Sequence, residues 1–185
     1  MSINTKPISV LCVDDEPGLA DLTATYLERI DDQFTTSKAE SAEEALDFFS
    51  ENDVDCIVSD YDMPGMDGLV FLQAVRATNP ELPFILFTGR GSEEIASEAI
   101  SAGVSDYMQK ESGHDQYAVL GQRIRNVVNR YRSRVQNRRS KREPKRSSKP
   151  RPSQLWSASI MNSSTRILPL LTSTTYLIGL TCLAG

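Results

Sequence analysis

Three short apolar runs and a fourth, mixed run in this chain each stop at a side chain that can work on a phosphate or a divalent cation. Val10-Leu11-Cys12-Val13 stops at Asp14-Asp15-Glu16, and Cys56-Ile57-Val58-Ser59 stops at Asp60. Phe84-Ile85-Leu86-Phe87 stops at Thr88-Gly89, and the run from Val104 to Gln109 stops at Lys110. In an open α/β sheet such stops are the C-terminal edges of strands, where ligands sit. Asp60 is the most informative of them. The chain continues Tyr61-Asp62-Met63-Pro64-Gly65-Met66-Asp67-Gly68, so the apolar run breaks at proline and glycine soon after the carboxylate.

On one rim, Asp14, Asp15 and Asp60 would make a hard-cation site. Magnesium prefers oxygen ligands, keeps several waters, and is held by one or two carboxylates plus phosphate oxygens. Crowded carboxylates raise one another's pKa unless a cation offsets the repulsion. Asp60 could then be both ligand and nucleophile, attacking phosphorus to form an aspartyl phosphate. The cation, the Lys110 ammonium and the Thr88 hydroxyl would stabilise the charge that develops on the phosphoryl oxygens.

The elements needed to position these groups are legible. Strand-like runs near 8–13, 33–37, 55–59, 83–87 and 104–109 alternate with helix-like stretches. Leu19, Leu22, Tyr26, Leu27 and Ile30 recur at helical spacing after Pro17, a good first-turn residue. Ser41 with Glu44 forms a capping-box pattern before Ala45, Leu46 and Phe49. Asp67 and Ser92 precede two further helices, the second striped by Ile95, Ala96, Ala99 and Ile100 and stopped by Gly103, and Leu120, Ile124, Val127, Val128, Tyr131 and Val135 stripe a fifth. Five strands alternating with five helices predict an α/β fold, a doubly wound five-stranded parallel sheet with helices on both faces.

Charge divides the chain. Residues 1–122 hold 24 Asp/Glu against 6 Lys/Arg, and residues 123–185 hold 1 against 14, inside a net charge of -5. An acidic body repels nucleic acid and stays soluble. Cys12, Cys56 and Cys182 lack metal-ligand spacing, and the first two sit in apolar strands, so buried reduced thiols are expected. The N-terminal apolar run is too short for a signal peptide, which predicts a cytoplasmic protein. The expected organisation is a domain over 1–132, a basic linker or helix extension over 133–152, and an irregular, disordered tail over 153–185. The loss of acids after Glu143 is also what a frameshifted or truncated end would give.

From residue 8 to about 130 the chain resembles the receiver domain of two-component response regulators. The family's acidic pair falls on Asp14 and Asp15, its phosphoacceptor on Asp60, its switch hydroxyl on Thr88, its aromatic switch on Tyr107 and its lysine on Lys110. Met63-Pro64-Gly65-Met66-Asp67-Gly68 matches the loop after the acceptor. The resemblance implies a flavodoxin-like strand order 2-1-3-4-5 and a phosphoacceptor switch rather than an enzyme. It implies Mg2+ bound by Asp14, Asp15, Asp60 and the Tyr61 backbone carbonyl, and a sensor histidine kinase as partner. Output would come from the face of the fourth helix, fifth strand and fifth helix toward an effector the sequence does not name. A phosphorylation-dependent dimer fits that scheme, whereas nucleic acid and membrane are not expected partners.

Two departures stand out. Glu111 follows Lys110 where the family usually has proline, which puts the cis peptide of that turn in doubt. Asp62 and Arg90 occupy positions that tune dephosphorylation in such domains. Blander readings also exist: Asp14 and Asp15 could simply begin a helix, and Tyr107 could be half-buried packing. His114, in a Ser-Gly-His-Asp loop, reads as solvated. Two alternatives from other classes remain open. One is a haloacid-dehalogenase-type phosphatase using the pair Asp60 and Asp62. The other is a DNA-binding regulator whose effector is the tail.

Overall fold

The computed structural model describes residues 6–89 and 91–142. Arg90 and the segment 143–185 lie outside the described residues. So do the expectations that fall on them: the tuning role of Arg90, the tail, its alternative readings and Cys182.

Ten elements alternate along the chain: β1 (Ile8–Val13), α1 (Pro17–Ile30), β2 (Phe34–Ala39), α2 (Ala42–Glu51), β3 (Cys56–Ser59), α3 (Gly68–Thr78), β4 (Phe84–Thr88), α4 (Glu93–Ser101), β5 (Asp106–Gln109) and α5 (Asp115–Arg142). The strands form one parallel sheet in the order β2-β1-β3-β4-β5. The expected doubly wound order is the observed one. β3 and β4 are buried throughout and β1 nearly so, because helices cover both faces. The edge strands β2 and β5 are partly exposed.

Two apolar layers flank the sheet. Val10, Cys12, Val58 and Ile85 pack with Leu27 of α1 and with Leu120, Ile124 and Val128 of α5. On the other face Leu11, Ile57, Phe84 and Leu86 pack with Ala42 and Ala45 of α2, Phe71, Leu72 and Val75 of α3, and Ala99 of α4. Burial pushes the Cys12 thiol up to about 12 and the Cys56 thiol well above its ordinary value, so both strand cysteines stay protonated at neutral pH.

Helix starts follow the sequence signals. Ser41 accepts from the Glu44 amide at 3.1 Å, and the Glu44 carboxylate reaches back to the Glu40 amide at 2.8 Å. Asp67 accepts from Leu69 and Val70, and Ser92 accepts from Ile95. Gly103, at φ 83°, ends α4 in a left-handed turn that suits glycine.

Two expectations are corrected. The buried face of α1 is Ala20, Thr23, Ala24 and Leu27, whereas Leu22 and Ile30 are exposed. Ile100 of α4, expected in the stripe, is 71% exposed. Beyond residue 132, where a basic linker or helix extension is expected, α5 continues without a break to Arg142. Among the described residues no peptide bond is cis, the one after Lys110 included, and no helix is long and apolar enough to cross a membrane.

Candidate functional site

Strand register gathers the predicted groups at one rim. Val13 pairs with Ser59, and Thr88 with Gln109, so the residues that follow leave the sheet side by side. The Asp60 amide donates to the Val13 carbonyl at 2.8 Å and the Lys110 amide to the Thr88 carbonyl at 2.7 Å. These bonds extend the ladder one step past the strands and fix where the two side chains begin.

The Lys110 ammonium bridges two carboxylates, donating to Asp14 Oδ2 at 2.6 Å and to Asp60 Oδ1 at 2.7 Å. Both carboxylates are buried, with relative exposures of 5% and 7%. The second oxygen of each is held by backbone: Asp14 Oδ1 accepts from the Glu16 amide at 3.1 Å, and Asp60 Oδ2 from the Asp62 amide at 2.6 Å.

Burial raises the Asp14 carboxyl above its ordinary value. The Lys110 hydrogen bond and charge and the Glu16 amide offset part of that rise, and the Asp60 charge adds to it. Burial alone would lower the Lys110 ammonium, but its bonds and attraction to Asp14 and Asp60 outweigh that and raise it. The arrangement is a pair of buried acids whose charge one ammonium only half offsets, which favours any added positive charge.

A family model of the response regulator receiver domain matches residues 10–119. The chain belongs to that family. It is 36% identical over 134 residues to the C4-dicarboxylate transport transcriptional regulatory protein DctD of Rhizobium meliloti (strain 1021), which covers 72% of this chain and 28% of that protein. This chain spans about a quarter of the length of the first curated relatives it matches. A receiver domain protein from Clostridium thermocellum superposes with a TM-score of 0.61 at 27% identity, covering 68% of this chain and 97% of that one. Response regulator TrrA from Thermotoga maritima, solved in complex with Mg(2+)-BeF, superposes with a TM-score of 0.57 at 25% identity, covering 65% and 98%.

Within this receiver domain, the donor set suits a small hard cation. Two buried carboxylates share one ammonium, so they lie close enough to share one metal ion, which is the number of acids magnesium usually takes from a protein. The Tyr61 carbonyl accepts from the Met63 amide at 3.2 Å and the Gly68 amide at 2.9 Å, which fixes it in the loop after Asp60. Asp15, next in the chain to Asp14, is half-buried, and among the described residues no group of three or more His, Cys, Asp or Glu is arranged to hold a metal.

Thr88 is fully buried at the end of β4. Tyr107 is half-buried against the layer of α2, α3 and α4, and its hydroxyl is buried with no hydrogen-bond partner among the described residues. His114 is exposed but not simply solvated, since its ring stacks on Tyr26. The residues missed by sequence reasoning are Tyr26, Phe87 and Tyr117, a set of aromatic rings beside Lys110. Their helical and strand spacing read as ordinary core, and nothing local shows that they converge.

Proposed function

We propose that the chain accepts a phosphoryl group on Asp60 from a phosphohistidine of a sensor histidine kinase. The observation that carries this reading is the Lys110 ammonium held between Asp14 and Asp60 at the strand rim. An Asp60 oxygen attacks phosphorus, the P–N bond of the donor breaks, and its electron pair returns to the imidazole, leaving an acyl phosphate on Asp60. Lys110 and Thr88 are the groups placed to bind the incoming oxygens. Asp14, Asp15, Asp60 and the Tyr61 carbonyl would hold Mg2+, which neutralises phosphoryl charge when bound.

The product acts as a switch. Thr88 and Tyr107 are the two-state element that the new charge biases, and the α4–β5–α5 face carries the output. An acyl phosphate formed and lost on one residue makes this a signalling acceptor rather than a turnover enzyme. The receiver assignment favours this over the phosphatase reading of Asp60 and Asp62. The name of the Rhizobium relative supports transcription control as the role of a whole protein of this kind, and partnership with an ATP-using kinase supports a cytoplasmic location.

Incubation with acetyl phosphate and magnesium chloride, followed by intact mass, tests the reading. Wild type should gain one phosphoryl group and Asp60→Asn none, since the amide keeps the shape and loses the nucleophile. Labelling of Asp60→Asn at the wild-type rate would overturn it.

A further inference from the structure

A column of rings drawn from three elements and one loop begins under Lys110. The Lys110 ammonium lies 5.8 Å from the centroid of the Phe87 ring in β4. Phe87 meets Tyr117 of α5 edge-on, with centroids 6.1 Å apart and planes at 75°. Tyr117 lies flat on Tyr26 of α1, 4.7 Å away and 3° from parallel. Tyr26 stacks in turn on His114, at 4.8 Å and 23°, with its hydroxyl 3.4 Å from His114 Nε2.

This column starts and ends on the same connection. Lys110 and His114 both lie between β5 and α5, in a stretch whose residues 111–115 are all exposed. A lysine on a flexible four-carbon stem loses much rotamer freedom when its ammonium must serve two carboxylates. An exposed loop cannot supply that order by itself. The buried rings of Phe87 and Tyr117 can, because a ring face attracts a desolvated cation and stacked rings resist displacement.

We propose that Phe87 and Tyr117, stacked through Tyr26 onto His114, are positioning residues that hold the Lys110 ammonium between Asp14 and Asp60. The inference rests on the proposed role of Lys110 at Asp60. None of the four residues touches the phosphoryl group; each acts through Lys110.

The test compares full-length variants by their maximal labelling rate at saturating acetyl phosphate and magnesium. Phe87→Leu and Tyr117→Leu should slow labelling about tenfold, the scale of a lost ion–ring contact in a desolvated site. Tyr117→Phe, which keeps the ring, should label close to wild type. His114→Ala changes an exposed residue and cannot empty the core, so it keeps the test open if a leucine variant does not fold. It should slow labelling about two- to threefold, the lower end of such stacking energies. In a Lys110→Ala background all these losses should vanish, because the rings then have nothing to position. Leucine and alanine variants at the wild-type rate beside a slow Lys110→Ala would overturn the proposal, as would losses that persist without Lys110. Wild-type labelling by Lys110→Ala itself would instead remove the role of Lys110, and the proposal with it.

Discussion

Gly68 is pressed against the backbone of Asp60: a side-chain carbon placed on it would fall 2.4 Å from the Asp60 carbonyl oxygen and 2.9 Å from Leu86 Cδ1. The Gly68 amide also donates to the Tyr61 carbonyl. Gly68→Ala should therefore push the start of α3 off the site, costing ~1–3 kcal/mol as an overpacked contact. Asp67→Ala is the control, since it loses a helix cap worth ~1 kcal/mol and leaves the Tyr61 carbonyl alone. Calorimetry should show magnesium binding weakened in Gly68→Ala and nearly unchanged in Asp67→Ala. Equal affinities in the two variants would refute this account of Gly68.

Asp14 gives a pH-dependent prediction. Its carboxyl is raised above 3.8, foremost by burial, so the folded state holds that proton more tightly than the unfolded chain does. The stability this lends is fully present below the unfolded value and is lost as pH rises through the folded one. Without magnesium, Asp14→Asn should thus gain on wild type in denaturant titrations as pH rises from the acid range toward neutral. Added magnesium should stabilise wild type more than the variant. A stability gap that does not change with pH would count against a penalised Asp14.

The buried Tyr107 hydroxyl has no partner among the described residues. A buried unpaired donor is a cost, so Tyr107→Phe should leave the unphosphorylated protein unchanged or more stable by up to ~1 kcal/mol. If Tyr107 is part of the switch, the same variant should show a weakened amide-shift response to phosphorylation. Destabilisation of the unphosphorylated form would mean that the hydroxyl is bonded after all.

The end of α5 separates folding from stability. The buried apolar stripe stops at Val128, so a chain ending at Arg142 should fold, bind magnesium and label like the full chain. A chain ending at Tyr131 loses the Arg132 bonds to Asp55, Lys6 and Pro7 and the Arg138 bond to Glu81. It should fold with stability lower by about 1–3 kcal/mol, the scale of a charge-assisted bond to a half-buried carboxylate. Equal melting of the two truncated chains would leave the arginine contacts without energetic weight.

The strands were readable because β1, β3 and β4 are covered on both faces, which selects unbroken apolar runs such as Phe84-Ile85-Leu86-Phe87. The site was readable for the same reason: a strand end converts sequence position into a place on the rim, so Asp14, Asp60, Thr88 and Lys110 could be grouped before any contact was known. Other features depend on tertiary fit. Leu22 and Ile30 continue the apolar pattern of α1, yet small residues, Ala20 and Ala24, face the sheet because the helix packs close there. The last three turns of α5 carry arginines instead of a buried apolar stripe, and Arg132 and Arg138 pair with carboxylates on distant loops. The pairing of Tyr26 with His114 spans 88 positions, a separation that local periodicity cannot register.

Arg132 ties the two ends of the fold together. Its guanidinium donates to the carbonyls of Lys6 and Pro7, just ahead of β1, and to Asp55, just ahead of β3. β1 is an inner strand of the sheet, so the first of the described strands is secured by a turn of the last of the described helices. At ribosomal rates of about 5–20 residues per second, β1 waits roughly ten seconds for that turn. Throughout that interval the sheet face of Val10, Cys12, Val58 and Ile85 has no α5 to cover it. The surplus of 24 acidic over 6 basic residues in positions 1–122 is on the nascent chain during that time. That surplus of like charge opposes association through the open face until α5 is made.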